Sequence, residues 1–325
     1  MSVRLDAEVA TALQAAETAG PSPPAPRPAL GDVGAHRDGL GANLKTLYQA
    51  SYPKTDPSVT QEDYYTTSAD GHRVLLRWYS KRSSGNGPGI LFIHSGGMIM
   101  GNVGDFDNIL HYYVSKTGVP SLSVEYRLSP EVRYPKALED TYAGLVWLHQ
   151  HALDLCVDAS RIAVMGESAG GNLAAAVCIY ARNKGGPTIS QQLLIYPMLD
   201  DRTVKADNTI NRLLTWRDVD NETGWDAYLG PDRRGSAAVL ATAAPSRLVD
   251  AYSLPPLYME VGEVDLFRDE NIAYAARFWQ AGISAALHVF PGLPHGYELL
   301  AAEAKATQEA LGHRLRAISS VRNPR

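Results

Sequence analysis

Ile162-Ala163-Val164-Met165-Gly166-Glu167-Ser168-Ala169-Gly170-Gly171-Asn172 is the stretch on which the fold turns. Four apolar residues are followed by a G-x-S-x-G pattern and then by small residues. That order reads as a strand, a very sharp turn and the start of a helix. The turn leaves no room for side chains two positions either side of the serine, which is why both positions are glycine. The serine is held in strained backbone geometry that exposes its Oγ. The helix beginning here sets its positive end and the Ala169 N–H beside that oxygen.

On both sides of this stretch, short apolar runs alternate with amphipathic ones. The runs fall at 90–93, 121–126, 162–165, 192–196, 257–261 and 286–290, with helical stretches such as 135–151 and 172–182 between them. Continuous apolar strands alternating with helices predict an α/β protein whose mostly parallel sheet is covered on both faces. Chemistry in such sheets sits at the carboxyl ends of the strands. Further upstream, strands at 63–67 and 73–79 are joined through Asp70-Gly71, a strong hairpin pattern, and a loop follows at 83–89.

The apolar positions Leu5, Val9, Leu13 and Ala16 predict a first helix over 5–19, ended by Gly20-Pro21. A Pro-rich stretch at 21–28 and a second, weaker helix at 36–49 follow. Residues 200–254 lack any strand pattern and carry Trp216, Trp225 and Tyr228 among many charges. A long insertion at that end of a sheet is usually functional. With the N-terminal helices it is read as a cap. The expected organisation is cap helices at 1–58, a catalytic domain at 59–199 and 255–325, and a cap insertion at 200–254.

Composition narrows the function. Hydrophobic residues at 45% and charged residues at 20% of 325 are ordinary for a globular chain, so disorder is excluded. A net charge of -5 disfavours a nucleic-acid partner held by phosphate neutralisation. Cys156 and Cys178 form neither a disulfide framework nor a zinc-type cluster, and are read as buried, reduced thiols of a cytoplasmic protein. Asp6 and Glu8 interrupt the place where a signal peptide's apolar region would lie. No run approaches the roughly 18 apolar residues of a membrane span.

The strand ends hold the candidate chemistry. The run at 90–93 leads into His94-Ser95-Gly96-Gly97-Met98, where successive glycines leave backbone N–H groups free to face a developing oxyanion. Gly96, Gly97 and Ala169 are the expected donors, and His94 the expected organiser of the loop. The run at 257–261 leads to four acids, Glu263, Asp265, Asp269 and Glu270. Asp265 is the expected histidine partner, Asp269 the better helix N-cap and Glu263 the fallback. The run at 286–290 leads to Pro294-His295-Gly296, a loop histidine suited to be the general base that a serine nucleophile needs. His149, His151 and His313 lie on helices and are read as surface residues. Gly171 occupies the lysine position of an S-x-x-K enzyme, which excludes that chemistry at Ser168.

Ser168, Asp265 and His295 occur in the order used by α/β-hydrolases. His94-Ser95-Gly96-Gly97, Tyr126-Arg127-Leu128-Ser129-Pro130-Glu131, Tyr134-Pro135 with Glu139-Asp140, Gly166–Asn172, Tyr196-Pro197, Asp265-Leu266 with Asp269-Glu270, and Pro294-His295-Gly296 span nearly the whole chain. On these residues the sequence resembles the hormone-sensitive-lipase family of esterases, the bacterial family IV. The resemblance implies an α/β-hydrolase fold with a helical cap, a Ser168–Asp265–His295 triad, and hydrolysis of short- to medium-chain carboxylic esters without metal or organic cofactor. An amidase, a lactonase and a non-catalytic ligand-binding protein on the same fold are the alternatives. Ser95 stands where the family usually has glycine, and Glu167 where aspartate is commoner. Residues 126–131 are taken as ties to the oxyanion loop. By position, Met98 and Trp216, with Met100 and Trp225, are candidate pocket walls for a small-molecule ester. The last strand, 284–290, is placed at a sheet edge, a candidate homodimer surface where family members often pair.

Overall fold

The computed structural model describes residues 3–19, 27–81, 86–205 and 208–321. Eight strands form one sheet: β1 (Val59–Thr67), β2 (Arg73–Lys81), β3 (Gly87–Ile93), β4 (Ser121–Val124), β5 (Val157–Glu167), β6 (Gln191–Ile195), β7 (Leu257–Val264) and β8 (Ala285–Pro294). Their order is β1-β2-β4-β3-β5-β6-β7-β8. The first two strands form the antiparallel hairpin expected from Asp70-Gly71, with Thr67 opposite Arg73 and Gly71 at a φ of 86°. Strand β2 also runs antiparallel to β4; every later pair is parallel.

The helices are α1 (Ala7–Ala19), α2 (Val33–His36), α3 (Ala42–Ser51), α4 (Asp107–Thr117), α5 (Lys136–Gln150), α6 (Ala169–Lys184), α7 (Asp218–Leu229), α8 (Arg268–Gln280), α9 (Tyr297–Leu300) and α10 (Lys305–Ser320). Helices α5 and α6 touch each other and the middle strands, while α10 touches α4 and β8. With helices packed on it, the sheet buries Ile90, Leu91, Phe92 and Ile93 of β3 and Ile162, Ala163, Val164 and Met165 of β5. This explains why those strands read as unbroken apolar runs rather than alternating ones. The strands extend beyond the apolar runs because backbone pairing continues where burial on both faces has stopped.

The weak second helix resolves into three pieces. Helix α2 passes through a wider π turn at Arg37–Gly41 into α3, and the Asp32 side chain caps α2 by accepting the Ala35 N–H at 2.9 Å. The Pro-rich stretch falls largely on 20–26, and the 83–85 part of the 83–89 loop on 82–85, outside the described residues; β3 itself begins earlier than expected, at Gly87. Among the described residues, 200–254 hold α7 and two short 3-10 turns and no strand. This segment meets the N-terminal helices directly. Thr223 Oγ1 accepts the Gly31 N–H at 2.9 Å, and His36 Nε2 lies 2.9 Å from Asp220 Oδ1. Strand β8 is an edge strand, as expected. No helix among the described residues is long and apolar enough to cross a membrane.

Candidate active site

The G-x-S-x-G turn has the geometry its spacing predicts. Strand β5 ends at Glu167 and α6 begins at Ala169, leaving Ser168 between them at φ 54°, ψ -117°. A Cβ on Gly166 would lie 2.1 Å from Gly170 O, and one on Gly170 would lie 2.1 Å from Ile93 O. The strained serine is held from both sides: its N–H donates to Ile195 O at 2.9 Å and its carbonyl accepts from Met198 N at 3.0 Å. Ala169 is the first residue of α6, so its N–H has no intrahelical acceptor.

Strands β7 and β8 bring the other two groups to this turn. Near their ends the register shifts between Gly262 and Val264. The strands approach so closely there that a Cβ on Gly262 would sit 2.0 Å from Leu293 O. Asp265 and His295 emerge side by side. Asp265 Oδ2 lies 2.8 Å from His295 Nδ1, and His295 Nε2 lies 2.9 Å from Ser168 Oγ. Asp265 is fully buried and its second oxygen accepts the Phe267 N–H at 2.9 Å. The ring of His295 is walled by Tyr196 at 4.6 Å and Phe267 at 5.1 Å, both edge-on.

The four competing acids separate by partner. Glu263 accepts the Gly292 N–H at 3.1 Å, and Glu270 is buried on the N–H groups of Leu199 and Asp200. Asp269 is not an N-cap. Helix α8 opens with Phe267 in the cap position, and Asp265 takes the backbone donor there. Asp269 instead pairs with neighbouring Arg268 at 2.7 Å. The reason is geometric: the turn that aims Asp265 at His295 also places its carboxylate over the helix start.

The glycine loop after β3 is tightly folded. Gly96 and Gly97 have φ values of 124° and 59°, and Gly96 O accepts from both Ile99 N and Met100 N at 3.0 Å. His94 organises this loop. Its ring is sandwiched between Tyr126 at 4.2 Å and Phe106 at 5.1 Å, and its Nδ1–H donates to Ser95 O at 2.8 Å. Complete burial drives its pKa down to about 4, so the ring is neutral near pH 7. Ser95 thus contributes its carbonyl to the loop. The 126–131 segment ties down the same loop: Tyr126 OH donates to His94 O and Ser129 N to Met98 O. Arg37 crosses over from the N-terminal segment to Ile99 O and Ser129 O, and holds Glu131 with both terminal nitrogens.

Other expectations need correction. Cys178 is buried but Cys156 is exposed, because it lies in the turn before β5 with φ 56°. His151 stacks on Trp147 and His313 lies tilted against His288 at 4.4 Å; these two and His149 are half-buried rather than free on the surface. Met98 and Trp216 are both buried members of the core, and Trp216 lies 6.4 Å from the His295 ring. No group of three or more His, Cys, Asp and Glu among the described residues is arranged to hold a metal ion.

Sequence reasoning missed the buried charges beneath the site. Arg314 of α10 is fully buried and reaches Glu260 at 2.7 Å, Glu298 at 3.0 Å and Glu167 at 3.7 Å. Glu298 also accepts the hydroxyl of Tyr196, the residue against His295. Glu167 accepts from Tyr48 and Tyr113, both at 3.0 Å. Burial raises the Glu167 carboxyl to about 7, and the Arg314 guanidinium opposes that rise. Arg314 sits in no motif, so only contact could reveal it; Tyr196 had a trace in the Tyr196-Pro197 pair.

Residues 90–299 match the sequence profile of the family described as alpha/beta hydrolase fold. The chain belongs to the α/β-hydrolase family, in its hormone-sensitive-lipase branch. This α/β-hydrolase is 35% identical over 238 residues to Esterase LipI of Mycobacterium tuberculosis, covering 72% of this chain and 73% of that one. It is 35% identical over 240 residues to Carboxylesterase NlhH of the same organism, with 72% and 73% covered. Among solved structures, Bacterial Heroin Esterase superposes with a TM-score of 0.85 at 33% identity, over 98% of each chain.

Proposed function

We propose that this α/β-hydrolase is a carboxylic ester hydrolase working through an acyl-enzyme on Ser168. The observation that carries the reading is the unbroken Asp265–His295–Ser168 line at 2.8 and 2.9 Å. In the reaction, His295 Nε2 takes the Ser168 proton as Oγ attacks the ester carbonyl. The N–H groups of Gly96, Gly97 and Ala169 receive the tetrahedral oxyanion. His295 then returns the proton to the leaving alcohol, and water deacylates the serine by the same route. Asp265 remains ionised and holds Nδ1–H throughout.

The named esterase relatives favour an ester over an amide or lactone bond. Short to medium acyl chains are the proposed substrates, with Met98 and Trp216 the proposed walls of the site; Trp216 lies 6.4 Å from the His295 ring. Segments 1–58 and 200–254 are assigned to a cap over a catalytic domain at 59–199 and 255–325, supported by the His36–Asp220 and Gly31–Thr223 contacts that join them. The β8 edge, whose Gly292 carbonyl already accepts the Asp6 N–H, is offered over its remaining length as a pairing surface for a second copy, and a reducing cytoplasmic setting suits the two free cysteines.

A p-nitrophenyl ester series from acetate to decanoate tests the activity, with Ser168→Ala as control. Turnover should be greatest on the short members and fall by about 10³-fold or more in the variant. Turnover that persists in Ser168→Ala would remove the acyl-enzyme; a preference for the matching anilide would move the enzyme to the amidases.

A further inference from the structure

Two consecutive residues of the 200–254 insertion touch both halves of the catalytic machinery. Thr215 Oγ1 donates to the main-chain carbonyl of His295 at 2.7 Å. Trp216 covers the oxyanion loop so closely that a Cβ on Gly97 would lie 2.7 Å from its Cη2. Gly224 of α7 presses on the same loop: a Cβ there would lie 2.8 Å from Gly97 O. This segment is itself braced. The Asp220 carboxylate accepts the Arg217 N–H at 2.9 Å and faces His36 Nε2 at the same distance, with both side chains nearly inaccessible to solvent.

His295 needs such a brace. The last ladder pair of β8 is Val264 with Pro294, so His295 lies one residue beyond the sheet. The next residue, Gly296, has φ 68° and a Cβ there would meet nothing within 4 Å, so neither side-chain packing nor sheet pairing fixes the chain just after the histidine. Contacts to the two ring nitrogens orient the imidazole only if the main chain beneath it is fixed. Catalytic groups must be held to about 0.5 Å, and a 1 Å misplacement can cost on the order of 10²-fold in rate.

We propose that Thr215 is a positioning residue for the general base: its hydroxyl clamps the His295 carbonyl and keeps Nε2 aimed at Ser168 Oγ. The insertion thereby becomes part of the catalytic scaffold. The proposal rests on the reading of His295 as base.

The test uses the full chain with Thr215→Val, which keeps shape and loses the hydroxyl, and Thr215→Ser, which keeps the hydroxyl. Rates are normalised to serine sites titrated with a p-nitrophenyl phosphonate, so unfolded protein does not count. Thr215→Val should lose about 10- to 100-fold in kcat with KM within about twofold, and Thr215→Ser should stay within about threefold of the parent. The limiting rate of phosphonylation should fall in step with kcat, since it too requires His295 to activate Ser168. A Val variant with undiminished kcat per titrated site, a loss confined to KM, or a Ser variant as impaired as the Val would overturn the proposal. If the Val protein does not fold, Thr215→Ala makes the same comparison with Ser. His295→Ala separates the two readings: full activity there sinks the triad itself, whereas loss there beside an unimpaired Thr215→Val sinks only the clamp.

Discussion

His94 and His295 are both strand-end histidines, yet their surroundings assign them opposite tasks. His295 touches a carboxylate and the serine, while His94 meets two aromatic faces and a carbonyl. Burial lowers the His94 pKa from 6.5 to about 4, so the folded state binds fewer protons there than the unfolded chain. Its contribution to stability is full above about pH 6.5 and is lost as pH falls toward 4. Urea melts of the parent and His94→Gln, compared at pH 7 and pH 4.5, should show the variant losing less stability over that interval. Equal losses would mean that the imidazole is not what titrates. The serine is legible at this scale from the sequence, because the two clashes at 2.1 Å leave glycine as the residue that fits on either side. The roles of the acids were legible only in part: the spacing singled out Asp265, but the capping assigned to Asp269 failed because Asp265 serves both the helix start and His295.

Between elements, the meeting of β7 and β8 decides whether a triad exists. The close approach at Gly262 allows the two strand ends to converge and the carboxylate to reach the imidazole. Gly262→Ala inserts a methyl group where 2.0 Å is available, so the strands must part. kcat/KM on a short ester should fall by about 10²-fold or more while the KM of the remaining activity stays close to the parent's. An Ala variant with parental kinetics would show that the strands converge without this contact. The alternating runs announced the elements themselves, since parallel strands buried on two faces must be continuously apolar. Their ends were less visible, and the turn from α2 to α3 not at all, because its wide turn answers to packing on neighbouring segments.

For the molecule as a whole, Arg314 joins the segments that carry the triad. Glu167 precedes Ser168, Glu260 shares β7 with the approach to Asp265, and Glu298 follows His295 within one turn. One guanidinium among three carboxylates, all fully buried, makes removal of the cation severe. Breaking a buried pair costs about 3–5 kcal/mol, and here one cation pairs with all three carboxylates. Arg314→Met should therefore unfold at markedly lower urea concentration at pH 7. Burial already raises the Glu167 carboxyl, and losing the cation that opposes that rise leaves it protonated more readily in the folded state than in the unfolded chain. The deficit should narrow as pH is lowered toward 5, since stability held by a raised carboxyl pKa is lost on going up in pH. A deficit independent of pH would point to lost packing instead.

The amino-acid order alone determined the strand–turn–helix around Ser168 and the alternation that makes a covered parallel sheet, and it singled out Ser168, Asp265 and His295, which the fold brings together at 2.8 and 2.9 Å. These rest on local sterics and on hydrophobic period, which a linear chain displays. Tertiary structure decided which acid caps a helix, that Cys156 faces solvent, that Thr215 reaches the His295 carbonyl and that Arg314 sits among three buried carboxylates. Those outcomes depend on which distant side chains share a dry interior, where an unpaired charge or a free hydroxyl is costly, and no linear pattern records that proximity.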